Sequence, residues 1–258
     1  MGELCIGLVQ APLVWENSAE NRRYFSREIA KVAENVDLFV LPEMFTSGFT
    51  MKPDRVAEGM EGESVRWMKS IAKERNCAIT GSFVYKNQSD NAFYNRLVFV
   101  TDSDVYYYDK RHLFTLAGED DSYKQGVERI QFEYKGFQIC PLICYDLRFP
   151  AFARNTSDYD LLLYVANWPV KRIKAWNVLL QARAIENMAY VAGVNRVGTD
   201  PEGNQYNGQS QLLDCLGNHI IEPFEGARIS RATISKKSLV ETRKKYGFLE
   251  DRDEVTVK

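Results

Sequence analysis

The stretch Leu161-Leu162-Leu163-Tyr164-Val165-Ala166 decides the fold that we predict for this chain. It is a continuous apolar run of strand length, without the alternation of polar and apolar side chains that marks a half-exposed strand. A run of this kind is typical of a strand with both faces covered, as in a parallel sheet between two other layers. We therefore expect it inside a sheet that is buried on both sides.

Other short apolar runs alternate with helical patterns toward the N terminus. In chain order, the expected elements are strand 5–9, helix 18–35, strand 37–41, helix 64–75 and strand 78–85. The order β-α-β-α-β is typical of parallel strands joined by helices. Two more strands, 96–101 and 105–109, flank the polar turn 102–104, which predicts an antiparallel hairpin at the edge of the sheet.

The C-terminal half repeats this order of elements without repeating the sequence. In chain order, it contains strand 137–144, a short segment after Pro150, strand 161–166, helix 174–188, strand 190–197, a hairpin of 209–213 with 219–221, strand 228–234 and a charged helix at 239–245. Two similar halves can bury their apolar strands by packing sheet against sheet, with helices outside. The predicted fold is therefore α/β, a four-layer α-β-β-α sandwich.

Composition and spacing favour one domain. Of the 258 residues, 45% are hydrophobic and 26% are charged, so the chain can bury a large core. No linker rich in Gly and Ser or in Pro divides the two halves. We expect residues 1–258 to form a single domain.

Charge, hydropathy and cysteine content exclude several classes of partner. With 33 basic and 35 acidic side chains the formal net charge is -2, so neither a nucleic acid nor an anionic membrane is expected to bind. The apolar stretch 4–13 lacks a basic region and is too short to cross a bilayer, which argues against a signal peptide or anchor. Five cysteines without the spacing of a disulfide framework favour a reducing cytoplasm.

Histidine is scarce in this chain. His112 and His219 are the two present, too few for a His-rich zinc centre. No metal or cofactor is expected. Any catalytic cysteine would need a base other than histidine.

Glu43 closes the stretch Leu38-Phe39-Val40-Leu41-Pro42-Glu43, which places a carboxylate at the C-terminal edge of a buried strand. Apolar neighbours would disfavour its ionised form, which suits a general base that must accept and return a proton. The alternative is a strand-end glutamate that forms a structural ion pair with a basic residue.

Cys144 and Lys110 follow two other expected strands. Cys144 lies where strand 137–144 meets a polar turn that could expose a nucleophile, although free cysteine is also among the most buried residue types. Lys110 follows the hairpin strand 105–109. Its ammonium beside Cys144 would favour the thiolate and hold an oxyanion, whereas a solvated basic turn is the alternative.

Three blocks of the sequence resemble those of the nitrilase superfamily of carbon-nitrogen hydrolases. They are Leu41-Pro42-Glu43, Asp109-Lys110-Arg111-His112-Leu113-Phe114 and Cys144-Tyr145-Asp146-Leu147-Arg148-Phe149-Pro150, in the order of the family's glutamate, lysine and cysteine blocks. The resemblance covers nearly the whole chain. It implies the four-layer sandwich fold of the nitrilase type and a catalytic triad of Glu43, Lys110 and Cys144.

The resemblance implies further site residues. Glu119 matches the second glutamate, which follows the lysine and positions Lys110 or the attacking group. Asn167 and Trp168, in Val165-Ala166-Asn167-Trp168-Pro169, match the turn that shapes the substrate pocket. Together with Arg183-Ala184-Ile185-Glu186-Asn187, this pattern is most similar to the omega-amidase branch, which deamidates 2-oxoglutaramate and 2-oxosuccinamate.

The implied reaction is acyl transfer through a cysteine thioester. Glu43 would exchange protons with Cys144 and with the departing ammonia. Lys110 and the Tyr145 backbone N–H would hold the oxyanion. The expected partner is thus a small amide.

Arg148 is the candidate receptor for a distal carboxylate, because a guanidinium offers two parallel donors. The alternative is a structural ion pair of Arg148 with Asp146 or Glu119. Phe114, Tyr145 and Trp168 are expected to form apolar walls of the pocket. The alternative is that these aromatic residues belong to the hydrophobic core.

Two competing functions are open at this point. An N-carbamoyl amino acid hydrolase or a nitrilase would share the triad, and a non-catalytic α/β binding module, for a nucleotide for example, would need none of it. No Gly-x-Gly-x-x-Gly after a strand and no phosphate loop supports the binding module. The resemblance also implies a homodimer that extends the sandwich, with 235–258 contributing to its contacts.

Overall fold

The computed structural model describes residues 2–255. Its strands are β1 (Glu3–Gln10), β2 (Leu38–Val40), β3 (Ala78–Lys86), β4 (Phe93–Val100), β5 (Val105–Asp109), β6 (Phe132–Tyr134), β7 (Phe137–Ile143), β8 (Leu161–Ala166), β9 (Tyr190–Asn195), β10 (Val197–Thr199), β11 (Gln205–Asn207), β12 (Ser210–Leu213), β13 (His219–Phe224) and β14 (Arg228–Ser235). Its helices are α1 (Ser18–Ala30), α2 (Glu63–Arg75), α3 (Glu119–Ser122), α4 (Pro150–Ala153), α5 (Ile173–Asn187) and α6 (Lys236–Tyr246).

The strands of the described residues form two six-stranded sheets and one short hairpin, β10-β11. The strand order is β14-β1-β2-β3-β4-β5 in the first sheet and β13-β12-β9-β8-β7-β6 in the second. Both sheets have three parallel strands at the centre, β1, β2 and β3 or β7, β8 and β9, and antiparallel strands beside them. The two halves of the chain therefore build the same pattern, as predicted.

Helices cover the outer face of each sheet. Phe25 of α1 and Met68 of α2 pack with Phe39 of β2 in one apolar cluster. On the second sheet, α5 lies so close to β9 that a Cβ at Gly193 would stand 2.5 Å from the Leu180 side chain. Glycine is therefore required where this helix crosses the strand. The predicted α-β-β-α sandwich is confirmed.

The two sheets pack against each other through their inner faces. Apolar side chains of β1 and β2 share one buried cluster with those of β7 and β8, and no residue of β8 has exposed area. At one edge of the interface, the Phe132 ring of β6 stacks on Tyr106 of β5 with centroids 4.2 Å apart. The burial predicted for the stretch 161–166 is confirmed.

Several predicted boundaries are wrong by a few residues. Helix α1 ends at Ala30 rather than at 35, because the chain must turn back to pair Leu38 with Ile6 of β1. Strand β7 ends at Ile143, one residue before Cys144. Strand β9 ends at Asn195, whose side chain accepts from the backbone N–H of Trp168.

The C-terminal strand crosses between the sheets. Strand β14 returns from the second half and pairs antiparallel with β1 along eight residues, from Glu3 with Ser235 to Gln10 with Arg228. The hairpins β4-β5 and β12-β13 form where they were predicted, and β5 lies at a sheet edge.

No helix within residues 2–255 has the length and apolar character needed to cross a membrane.

Candidate active site

Four strand ends converge at one edge of the sandwich. Glu43 follows β2 of the first sheet and Lys110 follows β5, while Cys144 follows β7 and Asn167 follows β8 of the second sheet. The carboxyl ends of parallel strands meet at one edge of a sheet, which is the usual place for a site in α/β proteins. The structure brings these four residues into one cluster, and Glu119 joins them as the first residue of α3.

Lys110 lies between two carboxyl groups. Its Nζ donates to Glu43 Oε1 at 2.9 Å and to Glu119 Oε1 and Oε2 at 3.0 and 2.8 Å. None of the three side chains has exposed area. Burial would lower the pKa of the ammonium, but Glu119 and Glu43 outweigh burial and raise it above its ordinary value. Lys110 is therefore a fixed cation and not a proton acceptor.

Glu43 is buried among hydrogen-bond donors. Besides Lys110, its carboxylate accepts from Asn95 Nδ2 at 2.8 Å and from the Asn167 backbone N–H at 2.8 Å. Asn167 Nδ2 also donates to the Glu43 backbone carbonyl at 2.7 Å. The expectation of apolar neighbours around this carboxylate is thus wrong, because Asn95 within β4 and Asn167 after β8 supply hydrogen-bond donors to it.

Glu119 accepts from the Phe114 backbone N–H at 2.6 Å as well as from Lys110. Burial raises the pKa of Glu119, and the nearby Glu43 raises it further, while Lys110 opposes both. Asn95 Nδ2 reaches Glu119 Oε1 at 3.3 Å and so bridges the two carboxyl groups. Asn95 is not predicted from the sequence, because nothing near it in the chain marks it as a site residue.

Cys144 has a left-handed backbone conformation, with φ of 45°, at the start of a short 3-10 turn (Cys144–Arg148). Non-glycine residues adopt this conformation at a cost, and such strain concentrates at functional sites. The thiol is partly buried and lines the same cavity as the Glu43 carboxylate. A sharp turn after β7 therefore presents the sulfur to the carboxylate.

The pKa of Cys144 lies well above its ordinary value. Burial is the main cause, and the Glu43 carboxylate adds to it, while Lys110 acts in the opposite direction without outweighing them. Lys110 thus favours the thiolate, as expected, but burial and Glu43 outweigh its effect in the resting protein. The cysteine is therefore a neutral thiol in the resting protein.

Asp146 fixes the turn that carries Cys144. Its Oδ2 accepts from the Ile143 N–H at 2.9 Å and from the Tyr108 hydroxyl at 2.7 Å. Its Oδ1 accepts from the His112 backbone N–H at 3.0 Å and contacts the His112 ring Nδ1 at 2.8 Å. The His112 ring stacks on Phe149 at 3.7 Å. One buried carboxylate thus joins the loop of Lys110 to the loop of Cys144.

A cavity of about 230 Å³ opens beside Cys144. This volume is below the roughly 300–1,000 Å³ of pockets for drug-sized ligands, which indicates a smaller molecule. All five residues predicted to bind substrate line the cavity, namely Phe114, Tyr145, Arg148, Asn167 and Trp168. The Phe114 and Tyr145 rings contact each other edge to face at 5.0 Å and form part of its wall.

Arg148 is exposed at the cavity, with its guanidinium carbon 5.1 Å from the centre of the Trp168 ring. The structure excludes the alternative of an ion pair with Asp146 or Glu119. Both carboxyl groups are buried and are occupied by other donors. Within residues 2–255, Arg148 has no ion-pair partner.

The hairpin β10-β11 contributes lining residues that sequence analysis missed. Tyr206 and Asp200 line the cavity, and the Tyr206 hydroxyl donates to Asp200 Oδ2 at 2.8 Å. Behind them, the buried Arg196 guanidinium packs 4.6 Å from the Tyr206 ring. Arg172, from the 3-10 turn before α5, also lines the cavity. Only long-range packing places these side chains there.

A model of the carbon-nitrogen hydrolase family matches residues 5–244 of the sequence. This chain belongs to the carbon-nitrogen hydrolase family. The match confirms the resemblance to the nitrilase superfamily, and two curated relatives confirm the omega-amidase branch. The chain is therefore a hydrolase of the amidase type.

Two curated relatives and one solved structure cover nearly all of the chain. The chain is 44% identical to Omega-amidase YafV of Escherichia coli over 98% of both proteins. It is 32% identical to the 2-oxoglutaramate amidase of Bacillus subtilis over 95% of this chain and 96% of the relative. A CN-hydrolase superfamily protein of Xanthomonas campestris, solved with an arsenic adduct in its active site, is 41% identical over all of both chains, with a TM-score of 0.96.

Proposed function

We propose that this chain is an omega-amidase that hydrolyses the terminal amide of short 2-oxo dicarboxylic acid monoamides, such as 2-oxoglutaramate and 2-oxosuccinamate. The products are the 2-oxo acid and ammonia. The observation that carries the proposal is that Cys144 lies at a small cavity with Glu43, which accepts from Lys110, and that Arg148 in this cavity has no ion-pair partner within residues 2–255. The names of the relatives in Escherichia coli and Bacillus subtilis support the same substrate class.

The first half of the proposed reaction forms a thioester. The Cys144 thiol passes its proton to Glu43 as the sulfur bonds to the amide carbon. The negative oxygen that develops is stabilised by the Lys110 ammonium and the Tyr145 backbone N–H. Glu43 then protonates the nitrogen as the carbon-nitrogen bond breaks, because an amide nitrogen leaves poorly without a proton. Ammonia departs and the acyl group stays on the sulfur.

The second half of the reaction restores the resting thiol. Water gives a proton to Glu43 and attacks the thioester carbon. The carbon-sulfur bond breaks, and Glu43 returns the proton to the sulfur, so the acid is released and no proton is lost or gained by the site. Glu119 acts in both halves by holding Lys110 in place through its two hydrogen bonds. Its role is that of a positioning residue.

A panel of substrates tests the reaction class and the substrate together. Ammonia release would be measured for 2-oxoglutaramate, 2-oxosuccinamate, a neutral amide of similar length, an N-carbamoyl amino acid and a nitrile. We expect the highest kcat/KM for the two 2-oxo acid amides and no turnover by Cys144→Ala. A preference for the carbamoyl compound or the nitrile would assign the chain to another activity of the superfamily.

Arg148 is proposed to bind the distal carboxylate of the substrate. It follows Cys144 by four positions in the same turn, and an extended five-carbon amide places its carboxylate about 5 Å from the amide carbon. Arg148→Lys keeps the charge but loses the parallel donors, so kcat/KM for 2-oxoglutaramate should fall about ten- to a hundredfold. Turnover of a neutral amide should change little. Equal losses on both substrates would instead assign Arg148 a structural role.

The assembly and location are also proposals. A homodimer is supported by the exposed apolar side chains of Val178 and Ile185 on α5 and of Leu216 in the β12-β13 turn, where Gly217 packs against Ile185. The cysteines are all unpaired, which supports a reducing cytoplasm. A single domain over residues 1–258 is supported by the shared core between the two sheets.

A further inference from the structure

A second arginine lines the cavity beside Arg148. Arg172 ends a 3-10 turn (Val170–Arg172) that lies between β8 and α5. Its guanidinium carbon lies 4.8 Å from the centre of the Phe114 ring. Its backbone carbonyl accepts from Trp168 Nε1 at 2.8 Å, which ties the turn to the wall on which Arg148 packs. Each guanidinium therefore packs on a different aromatic residue of one cavity.

Neither guanidinium is neutralised by an acidic side chain. Across residues 2–255, Arg172 forms no ion pair, as is the case for Arg148. Asp200 and Glu202 line the same cavity, but within the described residues neither forms an ion pair with the two arginines, and the Asp200 carboxylate accepts from Tyr206 of its own hairpin. A guanidinium that packs on an aromatic face keeps its edge donors available. The cavity thus holds two sets of unused donors.

The two arginines stand at the mouth of the cavity. Both also line a shallow depression on the outer surface, together with Lys171 and Lys174. Glu43, which is fully buried, and Cys144, which is partly buried, line the same cavity, so it extends inward from the two arginines. A substrate whose amide reaches Cys144 can therefore extend its other end toward Arg148 and Arg172.

The far end of a 2-oxo acid presents three acceptor oxygens, two on the carboxylate and one on the adjacent carbon. One guanidinium can donate two parallel hydrogen bonds to the carboxylate, and the 2-oxo oxygen then needs a further donor. We propose that Arg172 supplies it and is the residue that selects a 2-oxo group, while Arg148 binds the carboxylate. This assignment rests on the proposed omega-amidase function.

The same arrangement disfavours the corresponding amino acid amide. A 2-amino group carries a positive charge at neutral pH and has donors but no acceptor. Placed beside Arg172, it would leave the guanidinium donors unpaired and bring two like charges together. Arg172 therefore distinguishes 2-oxoglutaramate from glutamine by charge as well as by hydrogen bonding.

Three five-carbon amides isolate the contribution of Arg172, because they differ only at the second carbon. Glutaramate has no substituent there, 2-oxoglutaramate has an oxo group, and glutamine has an amino group. For Arg172→Gln, kcat/KM for 2-oxoglutaramate should fall about tenfold or more, while that for glutaramate should change by less than about threefold. The preference for 2-oxoglutaramate over glutamine should fall by about tenfold or more. Arg148→Gln should instead lower kcat/KM for glutaramate and 2-oxoglutaramate together.

Two further variants keep the test decisive. Lys171→Gln removes the neighbouring exposed charge and should leave kcat/KM unchanged for all three amides. Arg172→Lys should lose part of the preference for 2-oxoglutaramate while the protein keeps the wild-type melting temperature. Equal losses of Arg172→Gln on glutaramate and 2-oxoglutaramate would overturn the assignment of Arg172. A wild-type enzyme that does not prefer 2-oxoglutaramate to a neutral amide would overturn the proposed function itself, and this is measured before any variant is made.

Discussion

At the scale of single residues, the site is a buried group of charges in which two carboxyl groups share one ammonium. Glu43 and Glu119 both contact Lys110, and all three side chains lack exposed area. A thiolate added to this group would face two carboxyl groups and a single cation. Burial and this balance together keep Cys144 a neutral thiol, which in the proposed reaction supplies the proton for the leaving ammonia through Glu43.

The charge balance predicts how the Cys144 thiol titrates in variants. Glu43→Gln removes the nearest negative charge, so the pKa of Cys144 should fall, and the rise of its iodoacetamide labelling rate with pH should move to lower pH. Glu119→Gln should move it in the same direction by less, because Glu119 contributes less to the shift. Labelling would be followed by mass spectrometry at Cys144. A midpoint that stays at the wild-type pH in Glu43→Gln would contradict this account.

The group should also behave as a unit in catalysis. Glu43→Gln and Lys110→Ala are each expected to lose most activity, and the double variant should lose less than the sum of the two effects. Lys110→Ala leaves two buried carboxyl groups without their cation, so it should also lower stability by about 3–5 kcal/mol. Lys124→Gln, which removes an exposed lysine, is the control for both measurements. Near-normal kcat in Lys110→Ala would remove the lysine from the mechanism.

At the scale of elements, catalytic geometry depends on two loops from different sheets. The loop after β5 carries Lys110 and the turn after β7 carries Cys144, and Asp146 joins them through Tyr108, Ile143 and the backbone of His112. These contacts also hold Cys144 in its left-handed backbone conformation, which is unfavourable for a residue other than glycine. The position of the sulfur is therefore set by a hydrogen-bond network between sheets.

Asp146→Asn tests this network. The amide nitrogen of asparagine cannot accept a hydrogen bond, so the donors to one of the two Asp146 oxygens lose their acceptor. This loss should cost about 1–3 kcal/mol in stability. We expect kcat to fall about tenfold with little change in KM, because the sulfur shifts while the cavity stays intact. Asp120→Asn, at an exposed site near Glu119, serves as the matched control. Wild-type kcat in a destabilised Asp146→Asn would show that the network only stabilises the fold.

At the scale of the whole molecule, the site exists because two sheets meet. Glu43 and Lys110 come from the first sheet, whereas Cys144 and Asn167 come from the second. The interface is apolar and ends in the stack of Phe132 on Tyr106, with Phe99 centred 4.7 Å away. Packing between the sheets therefore determines both stability and the distances within the site.

The Phe132 stack gives a direct test of the packing between the sheets. Phe132→Ala removes a buried ring, which should cost about 3–5 kcal/mol in the free energy of unfolding. Tyr107→Ala, on the same strand as Tyr106 but 51% exposed, should cost far less. Denaturant unfolding followed by circular dichroism measures both. A loss of less than about 1 kcal/mol for Phe132→Ala would mean that this edge of the sheet interface contributes little to the free energy of unfolding.

The proposed dimer is tested on the exposed face of α5. A charge placed in a packed apolar interface is costly, so Val178→Glu and Ile185→Glu should shift the wild-type dimer to monomer in analytical ultracentrifugation. Val127→Glu alters a more exposed valine, in the loop before β6, and should leave the dimer intact. A wild-type protein that sediments as a monomer at micromolar concentration would contradict the proposal.

The sequence by itself determined the kinds of elements and the residues at their ends. The apolar run 161–166 predicts a buried strand because burial on both faces leaves no position for a polar side chain, and this depends on local pattern alone. Glu43, Lys110 and Cys144 could be predicted as site residues because each lies at the end of an expected strand inside a block of recognisable sequence. Element boundaries were less accurate, because tertiary pairing decides where α1 and β9 stop.

Only the tertiary structure decided the environment of these residues. Glu43 accepts from Asn95, Lys110 and Asn167, which lie 52, 67 and 124 positions away in the chain. The pKa of Cys144 and the free donors of Arg172 depend on such distant neighbours, because electrostatic fields act through space and not along the sequence. Local patterns carry no record of those contacts, so the neutral thiol and the second arginine become visible only once the two sheets are packed together.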